Sequence, residues 1–551
     1  MSGPARIVAR IAPRTHDPSR PDPAQAGPAP PSRLGNVGLA GPLLVGGALA
    51  ACIALRFLAR SDLWLDEALS VNIARPSFAG LLDALRRDGS PPAYYFLLHG
   101  WMRLVGTGDH AVRTLSGIIS VLTLPVAWVV GRRVGGRAVG WGVVLLLASS
   151  PFAIRYASET RMYSMLVLGA LLLYLAWTEA LRRPAAGRLL ILAATTALLL
   201  LTHYWAFYVV GALFGVTGVR VLRGVKGDRR AAALTLAAIA CGAIPFLPWL
   251  PSFLFQLHHT GTPWGKPPDL KSLRSSLQAW TDSGKLAGIV LGWMLVLLAA
   301  TAVFDRRPES AAGEPAPGDA RDLCLVVLGT FALAIVAGRL FHVSFAARYT
   351  SVVMPLFLLL AALGLRSFPA RSRWIVMGVA VGCGMAVAIA NVNLKRTQTG
   401  DVARVLRSRA TAGDLIVYCP DQLGPGTSRL APADVPQTTF PGFGAPGLVD
   451  WVDYKQRYAT ASPAAFAREA ERRAGSGRIW LVYSGRYNVA GRPCARLTKQ
   501  LAALRPPQKP IVRPNYHAYE NAWLLLYAPA SSHGTREMQR ARSLSPEGRA
   551  R

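Results

Sequence analysis

Charged residues are scarce in this 551-residue chain: Asp, Glu, Lys and Arg together make up 16% of it, whereas hydrophobic residues make up 52%. Soluble globular proteins carry about 25% charged residues, so the composition excludes an ordinary soluble domain. The mean hydropathy is +0.30. We therefore expect a membrane protein.

Acidic residues are the scarcer of the two signs, with 29 against 61 basic residues and a formal net charge of +32. Such an excess can indicate nucleic-acid binding. Here, however, the basic residues lie in short clusters between apolar segments and in the tails, without interleaved aromatic residues. The positive-inside rule predicts such loops in a membrane protein, so we expect no nucleic-acid partner.

Cysteine is rare, and no CxxC pair or Cys/His spacing of a zinc site occurs. Four of the six cysteines fall within apolar segments: Cys52, Cys241, Cys324 and Cys383. There they are expected to act as small hydrophobic residues. Cys419 and Cys494 lie near the C-terminus, where an oxidising compartment would allow a disulfide. The sequence leaves their pairing open.

Eleven segments are long and apolar enough to cross about 30 Å of hydrocarbon. They are 37–59, 111–131, 138–155, 162–181, 188–203, 205–222, 231–250, 286–304, 322–340, 349–366 and 374–391. The segment 92–106 (PAYYFLLHGWMRLVG) is short and aromatic. We predict a helix at the membrane interface there, with a twelfth span as the alternative.

The basic loops set the predicted orientation. With a cytoplasmic N-terminus, the arginine-containing loops that begin near 131, 181, 220, 304 and 366 all face the cytoplasm. Counting 92–106 as a span would place them outside. We therefore expect a multi-pass protein of the inner or plasma membrane with an external C-terminal segment. The first apolar run lacks a cleavage site, so no cleavable signal is expected.

Composition divides the chain into four predicted parts. Residues 1–36 form a disordered cytoplasmic tail and 536–551 a disordered basic tail. Residues 37–392 form the membrane module, with a first external loop at 60–110. Residues 393–535 mix strand-like runs (DLIVYC, GRIWLVYSG, AWLLLYAP) with a helical stretch, PAAFAREAERRAG. This mixture predicts a small external α/β domain.

Unusual polar residues gather at the external ends of the predicted spans. They are Asp62, Asp66, Glu67, Arg155, Glu159, Arg161, His203, Tyr204, His258, His259, His342, Arg348 and Tyr349. Any one of them could simply mark the interface. Their clustering on one face indicates a polar cavity shared by several loops.

Such a cavity suits group transfer from a lipid phosphate. A carboxylate could act as a general base toward a hydroxyl or amine. Neighbouring arginines could hold a phosphate through charge-assisted hydrogen bonds. The segment ALSVNIARPSFAGLLDALRRDG has amphipathic spacing, which predicts a helix on the membrane surface above the cavity.

At these residues the sequence resembles the GT-C membrane glycosyltransferases, specifically the family related to dolichyl-phosphate-mannose protein mannosyltransferases and bacterial aminoarabinose transferases. The matching segments, spread over residues 40–390, are WLDEALS, SPPAYYFLLHGWMRLVG, VRTLSGIISVLTLPVAWVVGRRVGG, ETRMYS, THYWAFY and ARYTSVVMPLFLLL. The resemblance implies a polytopic α-helical GT-C fold. It also implies transfer of a sugar from a polyprenyl-phosphate donor to an acceptor at the outer face, with inversion at the anomeric carbon.

The resemblance also implies roles for individual residues. Asp66 is the expected base or acceptor-orienting residue, and Glu67 either positions the acceptor or structures the loop. Arg348 is expected to meet the donor phosphate. The other residues expected to bind substrate are Glu159, Arg161, His203, Tyr204 and Tyr349.

The sequence departs from the family pattern at Ser90-Pro91-Pro92, where many relatives have His-Pro-Pro. The role of that histidine cannot be transferred, so no metal site is assigned. A divalent metal stays open, with His203, His258 and His259 as the available ligands. No DxD motif lies in a cytoplasmic loop, which disfavours a nucleotide-sugar donor.

Several alternatives stay open. The sugar could be mannose, an arabinose-type sugar or a hexosamine, and the acceptor a protein, a lipid or a polysaccharide. The C-terminal domain could recognise the acceptor or form a structural cap. A transporter or flippase for a lipid-linked saccharide is the main alternative function, although internal repeats and midplane charges are lacking. An assembly subunit without chemistry is the third.

Overall fold

The computed structural model describes residues 37–224, 226–262, 265–304, 318–505 and 509–529. The predicted disordered tails, 1–36 and 536–551, lie outside the described residues. The described part of residues 49–551 forms one compact unit.

Helices make up most of the described chain before residue 393. They are α1 (Val37–Leu55), α2 (Leu65–Ala74), α3 (Phe78–Asp88), α4 (Ala93–Val105), α5 (Asp109–Ser149), α6 (Pro151–Ala157), α7 (Tyr163–Arg182), α8 (Ala186–Leu200), α9 (Ala206–Arg223), α10 (Lys226–Ala243), α11 (Leu250–His259), α12 (Lys271–Thr281), α13 (Leu286–Phe304), α14 (Gly318–Phe341), α15 (Met354–Gly364) and α16 (Ala370–Val392). Short 3-10 helices span Ile244–Trp249, Ala347–Val352 and Leu365–Ser367.

These helices confirm a polytopic α-helical membrane protein. Within the described residues, seven helical segments are long and apolar enough to cross a membrane, and three shorter apolar helices accompany them. Each of the eleven predicted spans coincides with helical structure. The predicted span 111–131 lies within α5, and 138–155 begins in α5 and ends in α6. Helix α5 is interrupted at Gly135 and Gly136. Gly136 has φ 80° and ψ −175°, a conformation that is essentially restricted to glycine.

The loop that follows α1 differs from its prediction. The single amphipathic helix expected there is wrong: the chain forms α2 and α3, and α2 ends at Ala74, shortly before Pro76. Proline lacks the backbone N–H that a continuing helix requires. Eight of the ten residues of α2 are buried, so this helix packs inside the protein rather than on a membrane surface. Helix α4 agrees with the short helix predicted at 92–106.

Residues 393–529, named here the C-terminal α/β region, form a four-stranded sheet with helices. Its elements are α17 (Thr399–Arg409), β1 (Leu415–Cys419), α18 (Gly424–Ser428), β2 (Gln437–Thr439), α19 (Tyr454–Thr460), α20 (Pro463–Ala474), β3 (Ile479–Tyr483), α21 (Gly491–Leu504) and β4 (Trp523–Tyr527), with a 3-10 helix at Asp421–Leu423. The strand order is β2-β1-β3-β4. Strand β1 is parallel to β2 and β3, and β4 is antiparallel to β3. The small α/β fold predicted from the sequence is therefore confirmed.

The sheet is the core of this region. All five residues of β1 are buried, as are four of the five in β3. Cys419, at the end of β1, forms a disulfide with Cys494 in α21, with a Cα–Cα distance of 5.5 Å. The pairing that the sequence left open is thus present. Helix α18 packs against α2, which brings the C-terminal α/β region to the loop that carries Asp66.

Candidate active site

Asp66 lies in the first turn of α2, and its carboxylate faces a guanidinium from a distant loop. Arg348, in the 3-10 helix Ala347–Val352, places Nη2 at 3.4 Å from Asp66 Oδ2. The Asp66 side chain is 14% exposed. Its Oδ2 is buried and accepts no hydrogen bond from a described residue. A charged oxygen that is held in place but not hydrogen-bonded is available to a ligand.

Glu67, the next residue, is fully buried and fully engaged. Arg113 of α5 donates from Nε to Oε1 at 2.7 Å and from Nη2 to Oε2 at 2.6 Å. The backbone N–H of Thr160 donates to Oε1 at 3.1 Å. This bidentate pair joins α2, α5 and the loop between α6 and α7. Glu67 therefore fixes the helix that carries Asp66 to α5 and to the loop between α6 and α7.

Glu159 and Arg161 both lie in the loop between α6 and α7, but they have different surroundings. Glu159 is fully buried, with Arg155 Nε at 3.3 Å and Arg396 Nη1 at 3.7 Å from its Oε1. Arg161 Nη1 donates to Ser70 Oγ at 3.2 Å. It also donates to the backbone oxygen of Asp66 at 3.5 Å. The guanidinium of Arg161 therefore lies against the helix that presents Asp66.

An aromatic group lies beside Arg348. Tyr349 packs against His203, with ring centroids 5.0 Å apart, and its hydroxyl is 3.0 Å from Thr262 Oγ1. His203 Nδ1 accepts a hydrogen bond from the backbone N–H of Trp205 at 3.1 Å, so Nδ1 carries no proton. His203 is therefore a neutral imidazole that can donate from Nε2.

Tyr204 forms hydrogen bonds with Gln256 and Trp249 rather than with Asp66 or Arg348. Its hydroxyl donates to Gln256 Oε1 and accepts from Trp249 Nε1, the latter at 3.0 Å. Gln256 in turn donates to the backbone oxygen of Leu85 at 2.9 Å. Tyr204 thus connects the start of α9 with α11 and α3.

The histidines considered as metal ligands do not come together. His258 Nδ1 lies 2.8 Å from the backbone oxygen of Leu254, and His259 Nδ1 lies 3.2 Å from Asp453 Oδ1. No group of three or more His, Cys, Asp or Glu side chains suited to a metal ion occurs within the described ranges.

Two residues that the sequence analysis did not single out belong to the same cluster. Asp88, at the end of α3, accepts hydrogen bonds from Ser90 Oγ at 2.9 Å and Tyr95 OH at 3.4 Å. Burial raises the pKa of Asp88, and the charge of Arg161 opposes that rise. Tyr95 OH also accepts from Arg161 Nη1 at 3.3 Å. Both residues lie in or beside the SPPAYYF segment, which is the signal that could have identified them.

Three further residues reach the site from the C-terminal α/β region. Tyr519 accepts a hydrogen bond from Arg155 Nη1 at 2.9 Å. Arg396 lies near Glu159, and Glu520 accepts a hydrogen bond from the backbone N–H of Leu65 at 3.2 Å. Sequence reasoning missed these contacts because the partners are far apart along the chain: 364 residues separate Arg155 from Tyr519, and 455 separate Leu65 from Glu520.

Several buried polar atoms around the site have no hydrogen-bond partner in the described part of the chain. Among them are Asp66 Oδ2, Glu159 Oε2, Arg161 Nε and Arg348 Nε. Buried polar atoms in native proteins are nearly always paired. The unpaired atoms include carboxylate oxygens and guanidinium nitrogens. They indicate a binding site for a ligand that has an anionic group for the arginines and a hydrogen-bond donor for the carboxylates.

Part of the chain is similar in sequence to a known family. Residues 89–250 match the sequence model of the dolichyl-phosphate-mannose-protein mannosyltransferases. This range contains Glu159, Arg161, His203 and Tyr204. No curated protein matches the chain significantly by sequence.

The fold is similar to that of solved structures. The structure of ArnT from Cupriavidus metallidurans in the apo state aligns with a TM-score of 0.62 and 14% identity, covering 89% of this chain and 98% of that chain. The structure of the same protein bound to undecaprenyl phosphate aligns with a TM-score of 0.59 and 14% identity, covering 88% and 97%. The GT-C fold predicted from the sequence is confirmed, and the match to the mannosyltransferase model extends over residues 89–250.

Proposed function

We propose that this chain, a GT-C membrane protein related to the dolichyl-phosphate-mannose-protein mannosyltransferases, transfers a sugar from a polyprenyl-phosphate donor to an acceptor. The observation that carries the proposal is the pairing of Asp66 with Arg348, because it places a carboxylate oxygen without a hydrogen-bond partner beside a cation. A base for the acceptor and a cation for the leaving phosphate are the two groups that such a transfer requires.

The proposed reaction is a single displacement. The acceptor hydroxyl oxygen bonds to the anomeric carbon as the bond between that carbon and the phosphate oxygen breaks. Asp66 takes the hydroxyl proton, and the polyprenyl phosphate leaves with the bonding electron pair. Attack from the face opposite the phosphate inverts the anomeric carbon. Arg348 Nη2 lies 3.4 Å from Asp66 Oδ2, so the proposed base and the proposed cation for the leaving phosphate belong to one site.

The donor phosphate is proposed to bind the two arginines. Arg348 and Arg161 each have a buried Nε without a hydrogen-bond partner among the described residues. Guanidinium groups bind phosphate in bidentate, charge-assisted geometry. Tyr349 and the neutral His203 would complete the pocket as hydrogen-bond donors. The ArnT structure with undecaprenyl phosphate supports a polyprenyl phosphate as the carrier.

The reaction is proposed to take place at the outer face of the inner or plasma membrane. The arginine-containing loops would then face the cytoplasm, as the positive-inside rule predicts. The N-terminus would be cytoplasmic, and the C-terminal α/β region would be external. The disulfide between Cys419 and Cys494 supports this orientation, because disulfides persist in oxidising compartments.

Donor use tests the proposal. Purified protein in lipid is incubated with a panel of undecaprenyl-phosphate sugars and a membrane extract, and mass spectrometry identifies glycosylated products. We expect one sugar class to be transferred. With that donor, Arg348→Ala should raise the donor KM by about tenfold or more, since it removes a charged hydrogen-bonding partner of the phosphate.

Arg404→Ala is the control, because Arg404 is 73% exposed and lies in α17. Its donor KM should equal that of the wild type. An unchanged donor KM in Arg348→Ala would remove Arg348 from the donor site. Movement of the lipid-linked sugar across the bilayer without any transfer would contradict the proposed function and favour a flippase.

A further inference from the structure

The connection between α16 and α17 is paired with the segment just before β4. Thr397 and Glu520 form a parallel β-bridge. Glu520 N–H donates to the backbone oxygen of Arg396 at 3.0 Å, and Gln398 N–H donates to that of Glu520 at 3.1 Å. Arg396, Thr397 and Glu520, named here the clasp, are all at most 4% exposed.

The Glu520 side chain of the clasp reaches the helix that carries Asp66. Its Oε2 accepts the N–H of Leu65, the first residue of α2, at 3.2 Å. The N-cap residue of α2, Trp64, makes no side-chain capping hydrogen bond. The first N–H groups of a helix have no partner within the helix, and a carboxylate is favourable at that end. Glu520 therefore caps α2 from another part of the fold.

Arg396 of the clasp contacts the loop between α6 and α7. Its guanidinium donates to the backbone oxygen of Ser158 at 3.0 Å and to Ser158 Oγ at 2.8 Å. Its Nη1 lies 3.7 Å from Glu159 Oε1 and 4.0 Å from Glu67 Oε2. The backbone N–H of Arg396 donates to Ser61 Oγ at 2.9 Å. Arg396 thus contacts both the segment before α2 and the loop between α6 and α7.

We propose that Glu520 is a positioning residue, which fixes the first turn of α2 so that Asp66 meets the acceptor and Arg348. The C-terminal α/β region is then part of the catalytic machinery rather than a separate cap. This inference rests on the proposed function of Asp66. It assigns Glu520 no contact with the substrate.

The geometry explains why a small change should matter. Glu520 bonds to the residue that immediately precedes Asp66, so losing the bond frees the turn that orients the Asp66 carboxylate. A misplacement of about 1 Å in a reacting group can lower a rate by about 100-fold. Arg348 lies in a separate segment, the 3-10 helix Ala347–Val352, and its proposed contacts with the donor phosphate are made from there.

Kinetics of three variants test the inference, with the undecaprenyl-phosphate sugar that gives product in the donor panel. Glu520→Ala should lower kcat by about tenfold to 100-fold per folded molecule, with the donor KM unchanged. Glu520→Gln should recover most of kcat, because its amide oxygen can still accept the Leu65 N–H. Glu469→Gln is the control: Glu469 pairs with Arg472 and Arg473 on the surface of α20, and its kcat should not change.

Hydrogen exchange adds a readout that does not depend on substrate. Amides of the first turn of α2 should exchange faster in Glu520→Ala than in Glu520→Gln. If Glu520→Ala does not fold, Glu520→Gln alone decides the matter, and a loss of kcat as large as 100-fold in it would overturn the capping role.

Wild-type kcat and unchanged exchange in folded Glu520→Ala would also overturn the inference. Asp66→Asn, measured alongside, separates the two claims. If Asp66→Asn is inactive while Glu520→Ala is normal, only the positioning role fails. If Asp66→Asn is fully active, the proposed function of Asp66 fails.

Discussion

Adjacent acids in α2 have opposite surroundings, although the sequence presents them as a pair. Asp66 has an oxygen free of hydrogen bonds and faces Arg348, whereas both oxygens of Glu67 are occupied by Arg113. Consecutive helical residues point in different directions, so only one of the two can face Arg348. This supports Asp66 as the reacting carboxylate and Glu67 as its structural neighbour.

The Glu67–Arg113 pair gives a stability prediction. Glu67→Gln should lower the free energy of unfolding by about 3 to 5 kcal/mol, because it leaves the buried Arg113 charge without its partner. Denaturation in detergent measures this loss. Asp83→Asn is the control, since Asp83 pairs with Arg87 on the surface and should change stability by at most about 1 kcal/mol. Equal stability of the two variants would contradict the role given to Glu67.

Glu520 also gives a pH prediction. Burial, reinforced by the charge of Asp66, raises the pKa of Glu520 to about 7, whereas its ordinary value is 4.5. The folded state therefore favours the protonated carboxyl. The stability that this preference contributes is fully present below pH 4.5 and is lost as the pH rises through 7.

Denaturation between pH 4.5 and 8 tests this expectation. The wild type should lose stability relative to Glu520→Gln by up to about 3 kcal/mol over that range. Asp421, whose pKa burial raises to about 6, is present in both proteins and does not affect the difference. Parallel pH curves for the two proteins would show that Glu520 does not titrate in this window.

At the scale of elements, hydropathy predicts the helices well and misses where they break. The interruption of α5 depends on the backbone of Gly136, and the end of α2 lies near Pro76. Of the strands, β1, β3 and β4 coincide with the predicted apolar runs, whereas β2 has only three residues, QTT, and no apolar signal.

Gly136 provides the test at this scale. Gly136→Ala should lower the free energy of unfolding by about 1 to 3 kcal/mol, because a Cβ is strained at φ 80° and ψ −175°. A Cβ there would meet open space, so the cost is one of conformation and not of packing. Gly187→Ala is the control, since Gly187 lies in α8, also with open space around it, and alanine favours a helix. Equal stability of both variants would contradict the claim that a Cβ at position 136 is strained.

For the whole molecule, the sequence predicted which polar residues lie together better than it predicted the contacts that fix them. Asp66, Arg161, Arg348, His203 and Tyr349 were all expected at one face, and the structure links them by short contacts. The partners that fix them were not expected. Arg113 reaches Glu67 from α5, whereas Arg396 and Glu520 reach the site because the C-terminal α/β region packs against α2.

The most direct test of the central claim is the turnover of Asp66→Asn with saturating undecaprenyl-phosphate sugar donor. Asparagine keeps the shape of the side chain but cannot accept the acceptor proton. The account predicts that kcat falls by about 100-fold to 10,000-fold, while the donor KM and the unfolding midpoint stay near wild type. Asp83→Asn, in the same loop, should keep full activity. A wild-type kcat in folded Asp66→Asn would contradict the account.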